Sequence, residues 1–284
     1  MNSKTIASPG SRVTAGLRTA LLVFLIFFPL TFVHLFVHEG GHALVSLYAR
    51  VPHTSIYFHP FSFSGFSRPM YDYHNAWGHL GGPLISLLAA LILFILFWKR
   101  RSFNHLLFVA FVAWTVFWEG TGFMDILGGT GDFFNVARVT NLPVGLFFGI
   151  DLLLFISGIV LFVSLLPLFG LKADDLNGLW ALPLGMGLYG VLGLVLASIL
   201  APISPFAIRY DLVREIQLSA GFRPLLMTAA GLLFAGLYVT LYRAIRKKLP
   251  AFLRTECRPL EWRDLRVPAI LAVLSIAAGL VIIL

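Results

Sequence analysis

The sequence predicts an all-α polytopic membrane protein with about seven transmembrane helices, and three observations predict it. Of 284 residues, 58% are hydrophobic and 12% charged, about half the charged share that a water-facing domain needs to wet its surface. Apolar runs of about 20 residues, enough to cross a bilayer, recur along the whole chain, and mean hydropathy is +0.88. Basic clusters stand beside those runs, as in Lys99-Arg100-Arg101 and Arg243 with Arg246, Lys247 and Lys248. Such clusters meet anionic headgroups and set orientation.

In chain order, spans are expected near 17–48, 76–98, 103–121, 143–169, 177–201, 223–245 and 265–284. The first apolar run, from Leu17 to Leu47, is longer than a signal-peptide core and lacks a small-residue cleavage site. It reads as a retained helix, with Pro29 a point of bending. Residues 51–75 are rich in aromatics, Ser, Pro and Gly. Their alternation, in Ser55-Ile56-Tyr57-Phe58 and again in Phe61-Ser62-Phe63-Ser64, predicts a membrane-associated β-hairpin over 51–68. Backbone of that kind must lie against protein, because lipid offers no hydrogen bonds. A second loop, 119–142, carries Glu119, Asp125 and Asp132 among glycines. The series Gly185, Gly187, Gly190 and Gly193 predicts close helix packing.

With the N-terminus cytoplasmic, alternate loops divide Lys and Arg 15 against 6, so seven spans run N-in and C-out. The net charge of +8 therefore belongs to membrane flanks, and a nucleic-acid role is not expected, since no basic module is interleaved with aromatics. The expected partner is the lipid bilayer. Cys257 is the sole cysteine, which excludes an intrachain disulfide and a thiolate metal cluster. A metal would have to be held by His, Asp or Glu.

His38-Glu39-Gly40-Gly41-His42 supplies such a group. Helix positions i and i+4 lie about 40° apart in rotation and about 6 Å along the axis, so both imidazoles can reach one ion. Glu39 then stands beside the open coordination position as a base for water. Zinc suits nitrogen and oxygen ligands held tetrahedrally with one place free. These polar residues interrupt an apolar span, and ionisable groups at membrane depth are costly enough to point to function. His34 shares the face, but His34 and His42 stand about 12 Å apart along the axis, so His34 is expected behind the site. The third ligand is expected from Asp132, with Asp125 and Glu119 as rivals; Asp151, inside a later span, is a candidate relay.

On these residues the sequence resembles the site-two protease family of intramembrane zinc metallopeptidases, as a divergent member. His38-Glu39-Gly40-Gly41-His42-Ala43-Leu44 reads like the family's first motif, and Gly81-Gly82-Pro83-Leu84 is similar to its Gly-Pro-Leu element. Gly131-Asp132 falls where the family supplies its third ligand, and Ser64-Gly65 falls where relatives carry a membrane-associated hairpin. The resemblance covers roughly residues 30–142. Glycine before Asp132 and phenylalanine after it depart from the family's Asn-Pro-x-x-Asp-Gly, and Ser86 stands where an Asn is frequent.

The resemblance implies a metalloprotease core over 1–142 and additional transmembrane helices over 143–284. It implies zinc on His38, His42 and Asp132, Glu39 as the catalytic base, and Ser64, Gly65 and Ser86 in substrate binding. The substrate would be a transmembrane protein, cut within a prokaryotic plasma membrane. Two rival classes are a zinc-binding scaffold that binds helices without cutting them and a transporter of small solutes or ions.

Overall fold

The computed structural model describes residues 9–48, 55–59, 61, 64–68, 76–100, 102–171, 178–209, 211–242 and 258–283. Among them, seven helices are long and apolar enough to cross a membrane, so the chain is an integral, multi-pass membrane protein.

The first helix, α1 (Pro9–Tyr48), has 40 residues and is about 60 Å long at 1.5 Å per residue. Strands β1 (Ser55–His59) and β2 (Ser64–Arg68) follow and pair antiparallel, with Ser55 opposite Arg68 and His59 opposite Ser64. Then come α2 (Ala76–Phe97), α3 (Leu106–Gly120), α4 (Gly122–Leu127), α5 (Asp132–Thr140) and α6 (Val144–Leu165). The chain closes with α7 (Ala181–Leu200), the short α8 (Pro205–Arg209), α9 (Val213–Leu237) and α10 (Arg266–Ile283).

Two expectations need correction. Residues 119–142 are not an irregular loop: α4 extends the third span to Leu127, and α5 begins at Asp132. The sixth span runs over Val213–Thr240, about ten residues earlier than its hydropathy suggests. Arg214, Glu215 and Arg223 mask its start. Arg223 is tolerated there because it is fully buried inside protein; its guanidinium donates to the Phe61 carbonyl and lies 4.4 Å from the Tyr189 ring centroid.

The main core is aromatic. Phe27 of α1 meets Trp114 of α3 edge-on at 4.8 Å, and Phe162 of α6 stacks on Phe234 of α9 at 4.5 Å. In a lipid solvent such pairs hold through shape and dispersion, because lipid is as apolar as the core. Missing side chains let α7 lie between α1 and α9. A Cβ at Gly185 would stand 2.4 Å from the Ala20 carbonyl oxygen, and one at Gly190 would stand 2.7 Å from Pro224 Cα.

Candidate metal centre

α1 and α2 cross at bare backbone. A Cβ at Gly41 would lie 2.2 Å from the Gly81 carbonyl oxygen, and one at Gly81 would lie 2.7 Å from that of Gly41. The approach brings the first turns of α2 against His38 and His42. A Cβ at Gly82 would fall 2.4 Å from His42 Nε2 and 2.7 Å from His38 Nε2. Glycine therefore keeps a small space clear in front of both ring nitrogens.

Asp132 closes that space from a third direction. The turn before α5 places Gly129 at φ 72° and Gly131 at φ 87°, backbone that L side chains rarely adopt. A Cβ at Gly131 would also stand 2.7 Å from Asp125 Cβ. With that turn made, Asp132 becomes the first residue of α5, where the helix dipole favours a carboxylate. Burial alone would lift its pKa, but hydrogen bonding to His38 and His42 holds the carboxyl below the usual range.

The three atoms form a near-equilateral triangle. His38 Nε2 and His42 Nε2 are 3.2 Å apart, and Asp132 Oδ2 is 3.3 Å from the first and 3.4 Å from the second. Tetrahedral ligands at about 2.0–2.1 Å from zinc stand about 3.3 Å from one another. The donor set, its spacing and the clearance at Gly82 all fit zinc.

The outer nitrogens of both imidazoles face oxygen acceptors, which favours the tautomer that a metal needs. His42 Nδ1 donates to the Gly78 carbonyl at 2.7 Å, and His38 Nδ1 donates to Glu119 Oε1 at 2.9 Å. Each Nε2 lone pair is thereby turned toward the centre. Exposure is lopsided: the Asp132 side chain is 26% and the His38 side chain 16% accessible, against 3% for His42. The centre opens on the Asp132 side, and an open position is what separates catalytic zinc sites from closed structural ones.

Glu39 is buried beside this pair on α1. His34 lies behind it, with Nδ1 3.3 Å from Thr115 Oγ1 and Nε2 3.7 Å from Glu119 Oε1. Asp125 is exposed, and its backbone carbonyl accepts from Thr130 N–H at 2.9 Å. Asp151 is fully buried, and its carboxylate stands beside Gly122, outside the triangle. Ser86, expected at the substrate, is fully buried, and its hydroxyl donates to Glu119. Ser64 pairs with His59 and Gly65 with Phe58 across the β1–β2 ladder. Glu119 and the Gly78 carbonyl were missed as supports of the imidazoles. The available signal was an acid at the very end of an apolar span.

The fold is that of a polytopic membrane protein, and among its helices His38, His42 and Asp132 form a cluster that could hold a metal ion. Comparison of the chain with protein-family models, curated proteins and solved structures finds no match.

Proposed function

We propose that the chain is an intramembrane zinc metallopeptidase that hydrolyses peptide bonds of transmembrane substrate helices. The observation that carries this reading is the 3.2–3.4 Å triangle of His38, His42 and Asp132 atoms, built on a membrane-spanning helix with Glu39 inside the same motif. Zinc held by these three side chains would supply Lewis acidity, polarising the scissile carbonyl and lowering the pKa of a water.

The chain's own groups do the rest. Glu39 takes the proton from that water as its oxygen bonds to the carbonyl carbon, and returns it to the amine as the C–N bond breaks. The Glu119 and Gly78 acceptors hold the two rings in place. A helical peptide bond is shielded, so the substrate must unwind locally. An outer edge of the β1–β2 pair, near Ser64 and Gly65, offers main-chain partners to an extended segment. The membrane proposed is a prokaryotic plasma membrane, whose anionic inner leaflet suits the basic clusters at 99–101 and 243–266.

Purified protein in proteoliposomes, given a transmembrane peptide with one helix-destabilising site, tests the reading. Glu39→Gln should retain zinc and lose cleavage by about 100-fold or more. Wild-type protein that holds zinc and cuts no membrane helix would instead be a scaffold. Solute flux that persists after zinc removal would make it a transporter.

A further inference from the structure

Glu119 lies one residue from the end of α3 and is buried at 6% exposure. It comes from a helix that supplies none of the three triangle atoms. Its Oε1 accepts from His38 Nδ1 at 2.9 Å and from Ser86 Oγ at 2.5 Å, and it faces His34 Nε2 at 3.7 Å. Three elements thus converge on one carboxylate oxygen: α1 through two histidines, α2 through Ser86, and α3 through Glu119 itself. A carboxylate within a transmembrane helix is costly, so packing alone does not account for it.

The two imidazoles are held unequally. His42 leans on a neutral carbonyl, whereas His38 leans on a carboxylate. A charged acceptor makes the stronger hydrogen bond and raises the basicity of the opposite ring nitrogen. His34, His38 and Glu119 also come close enough to hold an ion of their own. That alternative would require His38 to give up the Nδ1 proton that its 2.9 Å bond to Glu119 contains. The Nε2 triangle needs no such loss.

We propose that Glu119 is a positioning residue for the metal centre. It fixes His38 in the tautomer that presents Nε2 and strengthens that nitrogen as a ligand, and Ser86 in turn holds the carboxylate in place. This rests on the zinc reading above and adds a dependence of metal affinity on a residue that never touches the metal.

The test is a zinc competition titration against a chromogenic chelator, using the full chain in nanodiscs, with X-ray absorption of the bound zinc as a second readout. Glu119→Ala should bind zinc about 10–100-fold more weakly. Its zinc should keep two nitrogen donors and one carboxylate oxygen, whereas Asp132→Ala should lose that oxygen. Glu119→Gln keeps the shape and an acceptor, and should weaken binding by about tenfold. Ser86→Ala should weaken it by less. If Glu119→Ala does not fold, Glu119→Gln decides the matter. Affinities in both Glu119 variants within twofold of wild type would overturn the proposal, as would loss of an oxygen donor on replacing Glu119. Wild-type protein that binds no zinc would overturn the underlying reading instead.

Discussion

At Gly82 the ring nitrogens of two histidines stand 2.4 Å and 2.7 Å from where a methyl group would be. The two glycines inside the His38–His42 motif differ in the same physical terms. No heavy atom lies within 4 Å of a Cβ at Gly40, whereas a Cβ at Gly41 would strike the Gly81 carbonyl oxygen at 2.2 Å. Gly82→Ala is expected to keep the helical fold and lose stoichiometric zinc. Gly41→Ala should separate α1 from α2 and lose zinc together with thermal stability, while Gly40→Ala should keep both. Metal content and circular-dichroism melts of the three variants check this. The i, i+4 histidines and the intervening Glu39 were legible because a helix period alone brings them together. Asp132 was legible because few acids remained and glycines preceded it. Glu119, Ser86 and Gly82 stand out in the sequence for other reasons, but their places beside the two imidazoles were not legible, since each meets a partner on another element that no local period announces.

Elements follow the same division. Apolar periodicity located the spans but misplaced the start of α9, because Arg223 reads as a loop residue until its partners are known. Its guanidinium ties the Phe61 carbonyl, between β1 and β2, to α9. Tyr189, over which it lies, donates to Thr31 of α1 at 2.7 Å. Arg223→Ala should cost about 1–3 kcal/mol by stranding a buried acceptor and should speed proteolysis near residues 60–63. His59, fully buried on β1, adds a pH dependence: burial, then the nearby Arg223 charge, push its imidazole down from 6.5 to about 4. The folded chain keeps His59 neutral where the unfolded chain protonates it. Its contribution is therefore complete above about pH 6.5 and is lost as pH falls toward 4, at up to about 1.4 kcal/mol per pH unit. Proteolysis near the hairpin should accelerate across that window, and His59→Gln should flatten the change.

For the whole molecule, the solvent is lipid, and side-chain exposure reflects it: Leu91, Ile95, Val273 and Val281 are more than half exposed. The packing also fixes which ends of the helices lie together. Arg18, early in α1, donates to the Leu260 carbonyl at 2.7 Å, and Thr19 donates to that of Phe169 at 3.0 Å. The start of α1, the end of α6 and the approach to α10 thus share one face, as alternation of seven spans requires. Setting aside the basic residues inside the spans on both sides, Arg214 and Arg223 on one and Arg18, Lys99, Arg100, Arg263 and Arg266 on the other, leaves the direction of the charge asymmetry unchanged. The charge asymmetry predicts that the shared face is cytoplasmic and that the His38–His42–Asp132 cluster, near the far end of α1, opens toward the other side. After Cys257→Ser removes the sole cysteine, single cysteines can report each end to a membrane-impermeant maleimide. Ser3→Cys should label only from the cytoplasmic side. Thr130→Cys, beside the metal centre, and Leu284→Cys should label only from the opposite side. Labelling of Ser3→Cys and Leu284→Cys from one side would mean an even number of crossings and overturn the seven-span topology. Labelling of all three from the reversed sides would keep the fold and overturn only the orientation drawn from charge.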